Sequence, residues 1–168
     1  MTSIEAMLLA FCEWCNASFF GSAIRDSVWL FPFVEIFHLL ALATLGGTML
    51  VLNLRLLGLR FPRDSVPDLA REFQPWIVGS IVVLLVSGFL LFSTEAVKMY
   101  GNWAFQLKML FLLLAIIFTF TFHRRAILAV ETPSSRPWRR VAAVVSILLW
   151  TGVGLGGRAL GYITTAAS

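Results

Sequence analysis

Charge is what this chain has least of. Asp, Glu, Lys and Arg make up 13% of 168 residues, against 59% hydrophobic, whereas a soluble domain carries about a quarter of its residues as charge. A water-facing shell cannot be built from that composition, so the chain belongs in a membrane. Carboxylates are scarcer still, with nine Asp and Glu in all. That excludes a di-iron bundle, which needs several inward carboxylates, although Glu35 and His38 form a single Glu-x-x-His. The formal net charge is +4, but the basic residues punctuate the gaps between apolar runs and form no patch, so no nucleic-acid partner is expected. Met1 to Ala10 lack a basic stretch, and no cleaved signal is expected there. Neither an internal repeat nor a low-complexity segment is visible.

What is present is long apolar stretches. Four of them, at about 28–57, 74–97, 103–125 and 139–163, reach the roughly 20 residues a spanning helix needs. Trp29, Trp76, Trp103 and Trp138 stand near their starts, at the level where indole rings prefer the headgroups. Ahead of them Ile4, Met7, Leu8, Phe11, Cys12 and Cys15 recur at helical spacing, which predicts a short interfacial helix at about 3–16. The expected fold is therefore all-α: a single integral-membrane domain, an antiparallel four-helix transmembrane bundle with a short N-terminal interfacial helix. Arg55, Arg60, Arg63 and Arg71 lie between the first two spans, and Arg124, Arg125, Arg136, Arg139 and Arg140 between the last two. The positive-inside rule makes these loops cytoplasmic and puts both termini outside. Short connections predict that consecutive spans are antiparallel neighbours.

Each span collects its polar and small residues on one face. The first gives Glu35, His38, Leu42, Gly46, Met49 and Asn53; the second Ser80, Ser87 and Gly88; the third Lys108, Thr119 and His123; the fourth Trp150, Gly154, Arg158 and Gly161. A charge near mid-membrane costs about 2.5 to 3.5 kcal/mol on insertion scales, so such groups usually face a protein interior or a ligand. Glycine faces serve close helix contact, or leave room for a flat ring such as a porphyrin or a quinone.

Depth separates the two histidines. At about 1.5 Å per residue His38 lies about 15 Å below the outer surface, with Lys108 and Arg158 each about 7 Å below it. His123 falls at the far edge, about 30 Å down. One metal bound by both within a single protomer is disfavoured, and His123 is expected to meet helix-end carbonyls or phosphate headgroups. His38 either hydrogen-bonds a neighbour or ligates a haem iron or other metal, with Met109 at a depth to supply a second ligand. Lys108 and Arg158 either snorkel, pair with Glu35, or meet an anionic partner such as haem propionates. The Cys12-Glu13-Trp14-Cys15 pair lacks the strand of a thioredoxin site, and Asn16 stands where c-type haem attachment needs His. Incidental thiols are the favoured reading, beside a local disulfide or acylation.

The pattern Trp29, Pro32, Glu35, His38, Gly46-Gly47 and Leu54-Arg55-Leu56-Leu57-Gly58, then Phe105-Gln106-Leu107-Lys108-Met109 and Phe122-His123, resembles an uncharacterised family of small bacterial four-span membrane proteins. That resemblance implies the bacterial cytoplasmic (inner) membrane. More remotely, the first-span histidine, the glycine pair followed by Arg, and the Leu-Lys of the third span resemble HemJ-type protoporphyrinogen oxidases and CopD-like membrane domains. This implies a haem-associated site at His38 and Lys108. The Tyr-Leu-Pro-Arg run of that first helix is lacking here, so the protoporphyrinogen activity is not implied.

Three functions follow as expectations. The first is a redox or cofactor-handling protein with haem b, or a quinone, held by Glu35, His38, Lys108 and Arg158 among Gly46, Gly88 and Gly154. The second is an accessory subunit of a larger membrane complex. The third is a copper-handling protein using Glu35, His38 and Met49. No catalytic residue is assigned.

Overall fold

The computed structural model describes residues 3–59, 66–129 and 136–166, and the side chains of 4–59, 66–129 and 136–157. All regular structure among them is helical, in eight α-helices and one π-helical turn. Arg60, Pro62, Arg63 and Pro133 lie outside the described residues, as does the side chain of Arg158.

The chain opens with α1 (Ser3–Ala17) and α2 (Phe19–Asp26), set at 54° to one another. Ser18 makes the break: its hydroxyl donates to the Cys15 carbonyl at 2.6 Å and accepts from the Gly21 N–H at 3.1 Å, closing one helix and capping the next. Gly21 allows α2 to approach, since a Cβ there would sit 2.6 Å from the Ser93 carbonyl oxygen and 2.7 Å from that of Cys15. Arg25 then ties the cap down, donating to Asn16 Oδ1 and to the Thr94 carbonyl at 3.1 Å each.

Helix α3 (Leu30–Leu56) is 27 residues long, about 40 Å, against a hydrocarbon core of about 30 Å, so it tilts or projects. It ends in a Schellman motif. Gly58 takes φ 101°, its N–H bonds the Arg55 carbonyl at 3.1 Å, and the Leu59 N–H bonds that of Leu54 at 3.2 Å. Helix α4 (Val66–Thr94) returns with Pro75 inside it, and the short α5 (Ala96–Tyr100) follows. Asn102 caps α6 (Trp103–Phe118), accepting from the Ala104 N–H at 2.9 Å. Helix α6 continues through the π-helical turn Thr119–His123 into α7 (Arg124–Leu128), and α8 (Arg136–Ala166) closes the bundle.

Among the described residues four helices are long and apolar enough to cross a membrane, Leu30–Leu56, Val66–Thr94, Trp103–Leu128 and Arg136–Gly157, or five if the bent α1–α2 pair is one span. In the third, only 11% of the most apolar window is buried by the chain itself, so lipid must cover the rest. Trp29, Trp103 and Trp138 stand exposed near helix ends, as interfacial anchors do, and Trp76 is exposed ten residues into α4, where its apolar stretch begins. This is an integral, multi-pass membrane protein.

The spans do not close a ring. Helix α3 packs on α4 and on α8, and α8 packs on α6, but among the described residues α4 and α6 share no extended contact. The expectation that all consecutive spans are neighbours therefore fails at this pair, because a cavity holds them apart. Its ends are bridged: Phe92 and Phe105 stack 5.3 Å apart beside α5, and α7 meets α4 at the opposite end. The tightest core, with Leu45, Met49, Leu52, Leu56, Ile77, Ile81, Ile127 and Ala143, lies toward that opposite, arginine-rich end.

Candidate ligand cavity

Between the spans, in the half nearer α1, lies a cavity of about 1020 Å³, at the upper end of the usual range for cofactor and small-molecule sites. Its walls are mostly Leu, Ile and Phe, with Trp150 at one side, and the polar groups Glu35, His38 and Lys108 join them.

His38 is held in one orientation. Its Nδ1 lies 2.8 Å from Ser87 Oγ, and Ser87 gives its own hydrogen to the Val83 carbonyl at 2.5 Å. A hydroxyl has one hydrogen, so at His38 it must accept: Nδ1 carries the proton and Nε2 the lone pair. No described residue hydrogen-bonds to Nε2. Gly88 makes room for the ring, since a Cβ there would lie 3.3 Å from His38 Cε1. An imidazole whose Nδ1–H is fixed and whose Nε2 is available has the arrangement metal-binding histidines use.

Lys108 lies along a glycine surface on α8. A Cβ at Gly156 would come 3.2 Å from Lys108 Cβ, and one at Gly157 would come 3.6 Å from its Nζ. Its amine has no ion pair among the described residues, where the pairs are Arg25–Asp26, Arg71–Asp68 and Lys98–Glu95. The Glu35–Lys108 pair considered from the sequence is therefore not formed. Glu35 borders the cavity but is exposed.

Gly154 and Met109 also line the cavity, and nothing lies within 4 Å of a Cβ built on Gly154. Gly46 does not belong there: it is exposed, with no atom within 4 Å of its Cβ position. The residue before it, Leu45, is fully buried, and a step of about 100° turns Gly46 off the packed face. Met49 is buried in the core away from the cavity, which removes the third ligand of a copper site. Among the described residues no group of three or more His, Cys, Asp and Glu is placed to hold a metal ion.

His123 is a correction. It is 1% exposed instead of sitting at a helix end among headgroups. The π-helical turn carries it inward, where Nε2 donates to Asn53 Oδ1 at 2.7 Å, and Asn53 Nδ2 donates to Ser146 Oγ at 3.1 Å. Asn53 and Ser146 are equally buried, so the chain links α3, the π turn and α8. Trp150 Nε1 donates to Thr119 Oγ1 at 3.2 Å, joining α8 to the same turn. Asn53 and Ser146 were the available signal: one polar residue at matched depth in each of two apolar stretches.

Cys12 and Cys15 are free thiols buried with Ala96 against Phe92 and Tyr100. Burial raises both thiol pKa values, and Cys15 adds to the effect at Cys12. This leaves less thiolate to react.

The fold and cavity together define a multi-pass membrane protein with a deep, largely apolar site to which, among the described residues, His38 brings an imidazole, Lys108 an ammonium and Glu35 a carboxylate at the border. The chain belongs to the family of unknown function DUF6644, whose profile matches residues 11–163. No match was found among curated proteins or among solved structures.

Proposed function

We propose that this protein binds haem b in the cavity and serves electron transfer or cofactor handling in the bacterial cytoplasmic membrane. The observation that carries the reading is His38, which lines a cavity of about 1020 Å³ while Ser87 anchors its Nδ1 and leaves Nε2 without a hydrogen-bond partner among the described residues. His38 would hold the iron, Lys108 would meet a propionate, and Gly88 and Gly154 leave space for the ring. Haem supplies one-electron exchange between ferric and ferrous iron. The chain's part is to fix the imidazole, exclude water with Leu, Ile and Phe walls, and place one positive charge beside an anionic edge. The likeness to HemJ-type and CopD-like proteins weighs the same way.

On this reading the cap formed by α1 and α2 would face outward, since Arg55, Arg71, Arg124, Arg125, Arg136, Arg139 and Arg140 belong to the connections at the other end, which the positive-inside rule assigns to the cytoplasm. Purified protein is expected to show a Soret band that His38→Ala abolishes, while Ser87→Ala weakens haem retention about tenfold or more. A colourless, metal-free preparation that takes up no added haem overturns the reading.

A further inference from the structure

Three sides of the cavity are protein, and the fourth is not. Helices α3, α4, α6 and α8 all contribute lining residues, yet α4 and α6 do not pack along their lengths among the described residues. Phe92 on Phe105 closes that side at the cap end, and α7 on α4 closes it at the other. In between, Leu85 and Phe89 of α4 and Met109 of α6 line the cavity while being 47%, 49% and 45% exposed; Leu39 of α3 and Phe11 of α1 are as exposed, at 53% and 47%, but α3 packs on both α4 and α8, so the gap between spans lies at α4 and α6. Side chains that border both a cavity and the outside are the rim of an opening, and at this depth the outside is acyl chain. Nothing arriving through it needs to cross water. Among the described residues, what it meets inside is apolar except for Glu35 at the border, His38, and an ammonium with no carboxylate partner. An unpaired cation in such a setting is costly until an anion joins it.

We propose that the cavity opens sideways into the bilayer between α4 and α6 and takes from it an amphiphile with a carboxylate head. The carboxylate meets Lys108 Nζ, and the apolar body lies against α4 and α6. The proposal rests on reading the cavity as a ligand site, but not on the ligand being haem; a lipid-dissolved porphyrin with its carboxylates is one member of the class.

The test uses the full chain in nanodiscs, freed of any haem, with a fatty acid carrying a diazirine in its chain as probe. After irradiation, adducts are mapped by mass spectrometry. Labelling is expected at the cavity-lining Leu112 and Ile116 as well as at the outward Leu148 and Leu155, which are 64% and 65% exposed. The double variant Leu85→Trp, Phe89→Trp narrows the rim, and severalfold loss at Leu112 and Ile116 is expected with unchanged labelling at Leu148 and Leu155, which reports an intact fold. Lys108→Gln is expected to lower interior labelling about tenfold, with Lys108→Arg retaining it. Adducts confined to the outward residues, or a narrowed rim that changes nothing, overturn the sideways entry. Equal interior labelling by the acid and its methyl ester overturns the carboxylate. A protein with no Soret band that labels at Leu112 refutes haem and supports this proposal; one that binds haem but, once stripped, labels only outside does the reverse.

Discussion

The two halves of this bundle solve the membrane problem in opposite ways. Toward the arginine-rich end, Leu45, Met49, Leu52 and Ala143 are no more than 2% exposed, and three polar side chains satisfy one another in a chain from His123 through Asn53 to Ser146. Toward the cap, the same four spans stand around about 1020 Å³ of cavity, and their polar groups are left with capacity to spare. The difference teaches that buried polarity has two uses here. Where partners are complete it locks helices together; where they are incomplete it is available to a ligand.

That contrast is breakable by substitution. The largest effect is expected from Leu52→Ala, at a side chain with 0% exposure: a loss of about 2 to 5 kcal/mol, because the site cannot collapse around the missing atoms. Reversible unfolding in mild detergent reads it, and a loss below about 1 kcal/mol would mean that the core is already loose. Next comes Asn53→Ala, which strands the imidazole N–H of His123 and costs about 1 to 3 kcal/mol. The same measurement checks it, and pairing it with Ser146→Ala in a double-mutant cycle should show coupling. The smallest stability effect belongs to the cap half: Gly154→Ala, with nothing within 4 Å of the new methyl, is expected to stay within about 0.5 kcal/mol of the parent. If Gly154→Ala proved as damaging as Leu52→Ala, the division into a packed half and an open half would be wrong.

Much of the fold was legible because it follows from composition and length alone. Four apolar stretches with tryptophan ends and arginine loops leave few alternatives to a four-span bundle. Lys108 and Gly88 were legible for a related reason, since a charge or a small residue inside an apolar run has to be placed somewhere. Gly46 was misplaced because a stripe drawn from Glu35 follows the edge of the buried arc, whose centre runs through His38, Leu45, Met49 and Leu52. His123 differs from expectation because the helix does not end there: it runs on through Arg124–Leu128, and the π turn sets the bearing of the imidazole, a feature that does not announce itself in the sequence. The lack of extended α4–α6 packing among the described residues was invisible for a further reason: loop length limits which spans are neighbours in the chain, but side-chain volume decides how closely they pack.

The π-helical turn also acts as a phase offset. Before it, α6 packs on α8; after it, α7 packs on both α8 and α4. One extra residue in the turn lets a single uninterrupted rod present one compass bearing to its neighbours above and a different one below. Removing a residue from Thr119–His123 would bring the two bearings back into step, turn Ala126 and Ile127 away from their present contacts, and so unlatch one end of the bundle without altering a single cavity side chain.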